Sequence, residues 1–239
     1  MRELSLFSGA GGGLLATKHL LGWETLGYVE FNPYCQQVLQ ARIADGLLDA
    51  APIFGDVQRF LAEGYAERYR GLVDVVSGGF PCQPFSVAGR QLGADDPRNM
   101  WPATLGVLRA VRPRFAFLEN VPGLLANEYF GTILGNLAEA GFNAEWCVLG
   151  ADDVSGCHRR QRLWILAYSN SIECKHTQKR QDKIRLSKCV DAQKLFPWGC
   201  EPPILGGNNV VANRVDRLKA IGNGQVPQVA ATAWEILSQ

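Results

Sequence analysis

The sequence predicts an α/β protein: a doubly wound, mostly parallel sheet with a small, irregular second lobe. Three observations predict it. Short apolar runs, most of them β-branched or aromatic, recur through the first 167 residues with helix-like stretches between them. The residues with unusual chemistry follow those runs, at the edge where ligands sit in such sheets. Beyond Ala167 the texture changes, and Tyr168 to Leu195 is polar, basic and poor in apolar periodicity.

In chain order, Leu4–Phe7, Thr25–Val29, Val73–Ser77, Phe115–Leu118, Glu145–Leu149 and Leu163–Ala167 read as strands, and Pro52–Phe54 as a further short one. The intervening helices are expected at Gly13–Leu21, Pro33–Ala44, Trp101–Val111 and Thr132–Ala140. Asn32 and Pro33 form an N-cap followed by a first-turn proline. Strand–helix alternation of this kind calls for a sheet covered on both faces. Pro197, Pro202, Pro203, Gly206 and Gly207 punctuate the polar region, apolar spacing resumes at Val215, Leu218 and Ile221, and a terminal helix is expected at Val226–Leu237. The expected division is a main domain of 1–167 plus 213–239 and a lobe of 168–212.

The 239 residues are 47% hydrophobic and 20% charged, which excludes a disordered chain. No apolar run approaches the roughly 18 residues of a membrane span. Glu3 and the glycines at 9, 11, 12 and 13 interrupt any signal-peptide core. Seven cysteines without a C-x-x-C pair suit a reducing compartment, so a cytoplasmic protein is expected. Cys157-His158 and Cys174-x-His176 are too sparse for a zinc site, and no metal is expected. The net charge of +1 hides a segregation: residues 156–200 hold ten Lys/Arg against three Asp/Glu, and the remainder fourteen against twenty. Such an imbalance suits either a polyanion-binding segment or a solvated insertion.

Five segments carry chemistry. Leu6-Phe7-Ser8-Gly9-Ala10-Gly11-Gly12-Gly13 follows the first strand, where glycines let backbone amides approach a ligand ahead of a helix. Leu14 stands where a dinucleotide fingerprint has its third glycine, which leaves a nucleoside ligand with a carboxylate. Glu30 ends the second strand, where a carboxylate can accept from ribose hydroxyls. Asp56 suits either an adenine amine or a helix N-cap. Gly78-Gly79-Phe80-Pro81-Cys82-Gln83-Pro84-Phe85-Ser86 puts a cysteine on a Gly/Pro-rich turn at a strand end, a position for attack rather than for packing. Glu119-Asn120-Val121-Pro122 ends the next strand and brings a carboxyl beside that turn.

This set resembles the C5-cytosine-specific DNA methyltransferase family over nearly the whole chain except 168–200. Phe7 to Gly12 resembles its S-adenosylmethionine loop, and Pro81-Cys82-Gln83 its nucleophile motif. Glu119-Asn120-Val121 resembles its acid motif, and His158-Arg159-Arg160-Gln161-Arg162 its Q-x-R-x-R motif with histidine in place of glutamine. Gly222-Asn223-Gly224-Gln225-Val226-Pro227 resembles the final motif, whose helix returns to the first domain. The resemblance implies a Rossmann-like methyltransferase sheet and a cofactor held by Phe7, Ser8, Gly9, Gly11, Gly12, Glu30, Phe31, Asp56, Val57, Pro81, Asn223 and Gly224. It implies catalysis by Cys82, Glu119, Arg160 and Arg162: thiolate attack on C6 of a flipped-out cytosine, the acid at N3, methyl transfer to C5, and arginines on the base oxygen, the nucleophile's surroundings or phosphate. Duplex DNA is the implied partner, contacted by Ser86 and Arg90 on a closing loop and by Lys179, Arg180 and Lys183 in the basic stretch. The role implied is modification of the restriction–modification kind. The region before the last motif is shorter than the family's recognition domain, as in abbreviated phage or prophage members. The same chemistry on tRNA, or cofactor and nucleic-acid binding without turnover, are the alternatives.

Overall fold

The computed structural model describes residues 1–81, 99–171 and 214–239. Seven strands form one sheet: β1 (Arg2–Leu6), β2 (Glu24–Val29), β3 (Ile53–Phe54), β4 (Val75–Gly79), β5 (Phe115–Asn120), β6 (Phe142–Leu149) and β7 (Arg162–Ser169). Their order is β3-β2-β1-β4-β5-β7-β6. The pairs from β3 to β5 are parallel, while β7 runs antiparallel to both β5 and β6. The sheet is therefore mostly parallel, as expected, with an antiparallel edge. The order reverses between β1 and β4, and the carboxyl ends of those strands flank the crevice in which such sheets bind ligands.

The helices are α1 (Gly12–Leu15), α2 (Pro33–Ala44), α3 (Val57–Ala62), α4 (Trp101–Val111), α5 (Tyr129–Glu139), α6 (Arg214–Asn223) and α7 (Pro227–Leu237). On one face, α3, α4 and α5 pack over Leu4, Leu6, Val76, Leu118 and Ile165. On the other, α7 and the turn after α1 cover Val75, Phe117, Trp164 and Leu166. Trp234 of α7 is the wedge there: its ring meets Trp23, Phe115 and Phe117 edge-on at 4.7, 5.4 and 5.5 Å. Leu39 of α2 joins Leu14 and Tyr28 in a smaller cluster.

Two helices match their expected bounds, α2 and α4. Asn32 caps α2 as anticipated, its Oδ1 accepting from the amides of Tyr34 and Cys35. Other expectations need correction. Phe7 is not in the first strand, because its φ of 51° turns the chain out of the sheet. The helix expected over 13–21 is four α-residues followed by a π turn, Ala16–Leu20, in which the Leu21 amide reaches back to the Ala16 carbonyl. Strand β6 begins at Phe142, three residues earlier than expected, since β7 pairs with it along its whole length. Helix α5 likewise begins three residues early, where the Asn127 side chain accepts from the Tyr129 amide. The sequence set no bounds for helices α3 and α6: α3 follows from the capping alternative of Asp56, and α6 holds the apolar spacing at Val215, Leu218 and Ile221. The lobe expected over 168–212 lies, beyond 171, outside the described residues.

Candidate active site

The crevice has two sides. On the first, three positive-φ positions in five residues shape the loop after β1: Phe7 at 51°, Gly9 at 55° and Gly11 at 90°. L-residues seldom adopt such angles, so glycine is needed at 9 and 11. The loop is tied to its neighbours by the Ser8 amide on the Val29 carbonyl, and by the Ser8 hydroxyl on the carbonyl and hydroxyl of Ser5. Glu30 is 8% exposed and clamps two loops together: Oε2 accepts from the Gly9 amide at 2.7 Å and Oε1 from the Asn32 amide at 2.8 Å. Beside it, Phe31 stands 74% exposed, an unusual setting for a phenyl ring beside a buried carboxylate. Asp56 realises its capping alternative, with Oδ1 accepting from the Gln58 amide at 2.7 Å, while the Val57 side chain is buried in the core.

The second side is built from distant parts of the chain. Glu119 pairs with Gly79 across the β4–β5 ladder and with Trp164 across β5–β7. A β-carbon at Gly79 would sit 2.6 Å from Glu119 Oε2, so residue 79 must be glycine for the acid to lie where it does. Arg162 Nε donates to Glu119 Oε1 at 2.8 Å, with both side chains largely buried. Burial pushes the Glu119 carboxyl above its ordinary range, against the opposing pull of Arg162, Arg160 and a Gln225 hydrogen bond. Asn120 Nδ2 donates to the Phe80 carbonyl at 3.1 Å, tethering the end of β5 to the segment that leads into Pro81.

Arg160 has a backbone φ of 35°, and its Nη2 donates to the carbonyls of Gly222 and Gly224 at 2.6 and 2.5 Å. It thus bolts the end of α6 and the turn after it to the start of β7, close enough to Glu119 for its charge to act on that carboxyl. The glycines at 12 and 13 meet a distant residue as well as the crevice. A β-carbon at Gly12 would lie 2.6 Å from the Gln225 carbonyl oxygen, and one at Gly13 would collide with Gln225 Oε1. Those two glycines make room for the C-terminal turn, whereas Gly9 and Gly11 serve the loop's own path.

Phe7, Ser8, Gly9, Gly12, Glu119, Asn223 and Gly224 line one crevice, with Glu30 joined to it through Gly9 and Arg162 through Glu119. Gln225 also lines it and was not singled out, although its motif was. The residue follows the two carried over from that motif, and only its contacts distinguish it. Cys82, Ser86, Arg90, Lys179, Arg180 and Lys183 lie outside the described residues, as do Cys174 and His176.

The model of the family described as C-5 cytosine-specific DNA methylase matches residues 1–197. The chain belongs to that family. Among curated relatives, this methylase-family chain is 34% identical over 171 residues to the Type II methyltransferase M.NgoMIV of Neisseria gonorrhoeae, covering 70% of this chain and 52% of the relative. It is 27% identical over 215 residues to the Type II methyltransferase M.CviJI of Paramecium bursaria Chlorella virus IL3A, covering 89% of this chain and 53% of the relative. It therefore spans about half the length of these relatives. Its fold is similar to that of a mutant DNMT2 from Spodoptera frugiperda, with a TM-score of 0.60, 23% identity, and 75% and 53% of the two chains covered. Dnmt2 methyltransferase of S. pombe gives 0.58 and 22%, with 76% and 52% covered. The doubly wound sheet with its antiparallel strand is accordingly that of the methyltransferases. No helix of the described residues is long and apolar enough to cross a membrane.

Proposed function

We propose that this chain transfers a methyl group from S-adenosylmethionine to C5 of cytosine in DNA, through a covalent adduct between Cys82 and C6 of a flipped-out base. One observation carries the reading: a largely buried carboxyl, Glu119, is held by Arg162 at a strand end that Asn120 ties to Phe80, two residues before Cys82 in the chain. A carboxyl whose burial favours the protonated form is the group needed to neutralise charge on a heterocycle under attack.

The first side of the crevice suits the cofactor. Glu30 keeps both carboxylate oxygens fixed by backbone amides yet retains lone pairs for ribose hydroxyls. Phe31 offers an exposed ring on which an adenine can stack, and Asp56 has a second oxygen for its amine. When bound, S-adenosylmethionine supplies an electrophilic methyl group. The chain's own residues do the rest. The Cys82 thiolate adds to C6 while Glu119 gives its proton to N3, which makes C5 a nucleophile. After C5 is methylated, its proton leaves to a base, the C6–sulfur bond breaks, and the proton on N3 returns to Glu119. Arg162 keeps the acid's oxygen oriented throughout. Arg160 acts at one remove, by fixing the turn that bears Asn223 and Gly224. A duplex buries its bases, so extrusion of the target is required. Ser86, Arg90 and the basic residues Lys179, Arg180 and Lys183 are the proposed DNA contacts.

The test is trapping on duplex DNA containing 5-fluorocytosine in the presence of S-adenosylmethionine. Fluorine cannot leave C5 as a proton, so a covalent complex through Cys82 is expected, and Cys82→Ser abolishes it. Equal trapping by the serine variant would overturn the covalent mechanism. Transfer of radiolabelled methyl to tRNA in place of DNA would overturn the substrate.

A further inference from the structure

Gln225 sits where the two sides of the crevice meet. It arrives there from the far end of the chain, on the turn between α6 and α7 that Arg160 bolts down through the Gly222 and Gly224 carbonyls. Its backbone carbonyl lies against Gly12 and its Oε1 against Gly13, in the first turn of the helix that follows the glycine-rich loop. At its other end, Nε2 lies 3.3 Å from where a Gly79 β-carbon would be, a point 2.6 Å from Glu119 Oε2, so the amide and the carboxyl meet over the same glycine. Gly13 thus leaves space for this side chain, Gly12 for its backbone, and Gly79 for the acid and amide that face each other. That coincidence is hard to ascribe to filling space, because an aliphatic residue would fill it equally and would not donate.

We propose that Gln225 is the positioning residue for the acid: its amide hydrogen-bonds Glu119 and links that carboxyl to the glycine-rich helix start, so the C-terminal turn completes the catalytic site. The assignment rests on the methyl-transfer reading of Glu119. Arg162 fixes Oε1 from β7, and Gln225 fixes the carboxyl from the opposite side of the crevice. With Arg160, these are the groups that face the acid among the described residues. The geometry makes a directional claim about protonation. A donor to the carboxyl favours its ionised form, so losing Gln225 makes the acid hold its proton to higher pH. Because Glu119 works protonated, the alkaline limb of the methyl-transfer profile must move upward with it.

The experiment uses the full chain as wild type, Gln225→Leu and Gln225→Glu. The Glu119 carboxyl is titrated by carbon-13 NMR, and single-turnover methyl transfer to duplex DNA is followed against pH. Gln225→Leu is expected to raise the Glu119 midpoint by about one pH unit, the scale of one hydrogen bond to a charged group. The alkaline limb should move by the same amount, with cofactor affinity within about twofold because the backbone contact to Gly12 persists. Gln225→Glu should raise the midpoint further, since two adjacent carboxyls cannot both ionise freely. It preserves shape and is read by the same titration if the leucine variant does not fold. A purely structural role would lower the melting temperature and the rate at every pH while leaving the midpoint in place. An unmoved midpoint in either folded variant overturns the assignment. Failure of the wild type to methylate DNA at any pH would instead count against the proposed function, and the NMR titration would still decide the role of Gln225.

Discussion

The two sides of the crevice are built by opposite strategies. The side after β1 and β2 is local: Glu30 accepts from amides 21 and 2 residues away, and Asp56 caps its own helix two residues on. The side around Glu119 joins β4, β5, β7 and the α6–α7 turn, with Arg160 reaching 62 and 64 residues along the chain. The difference teaches where precision is located. A cofactor shared by many methyltransferases can be met by a preformed loop, whereas a buried acid must be held by charged and polar partners from several elements. Such partners are satisfied only when the whole domain is folded. The local side should therefore lose affinity in increments, and the assembled side should lose function abruptly.

The sharpest contrast comes from Glu119→Gln, which keeps size and polarity but cannot act as the acid. Methyl transfer should fall by about 100- to 10,000-fold in single-turnover assays, with little change in cofactor binding. A residual rate within about tenfold of wild type would remove the acid from the mechanism.

Trp234→Ala comes next. The ring is 8% exposed and wedged among Trp23, Phe115 and Phe117 on the face that carries the C-terminal turn. Its loss should destabilise the domain by about 3–5 kcal/mol in denaturant unfolding. Methyl transfer and cofactor binding should fall together, because α7 anchors the turn that bears Asn223, Gly224 and Gln225. Retention of either after the domain is destabilised would detach that turn from the crevice.

A smaller change is expected on the local side. Glu30→Ala should weaken S-adenosylmethionine binding by about 1–3 kcal/mol in calorimetry, since two amides and the ribose lose one acceptor. An unchanged affinity would leave Glu30 as a loop clamp alone.

The smallest effect belongs to Glu3, at the other end of β1. It is 1% exposed and accepts from the hydroxyls of Thr17, Thr25 and Ser77. Burial raises its carboxyl above the ordinary 4.5 despite these donors. A carboxyl raised on folding stabilises the native state while protonated, and that contribution is lost as pH climbs from the ordinary value through the raised one. Melting temperatures of Glu3→Gln and wild type should therefore diverge by about a few degrees in the variant's favour as pH rises above the ordinary carboxyl range. A difference independent of pH would mean that Glu3 does not titrate on folding in this range.

Much of this molecule was legible along the chain because local physics sets it. Asn32 and Pro33 start α2 where capping chemistry requires, and Trp101–Val111 and Pro227–Leu237 follow from runs of apolar residues at helical spacing. Glu30, Asp56 and Glu119 were identifiable because each lies at or just past the carboxyl end of a strand. By itself the sequence determined the α/β class, the order of the strands along the chain and the family, since these depend on periodicity and on short motifs. Only the tertiary structure decided that Gly12 and Gly13 yield to Gln225, that Arg160 secures the final turn, and that Arg162 holds Glu119 with Gln225 nearby over Gly79. Those partners come from separate elements, and Gly13 and Gln225 lie 212 positions apart. A glycine kept for its own dihedral and a glycine kept for a distant side chain read identically in one dimension. Steric exclusion between remote residues exists only once the sheet has brought them together.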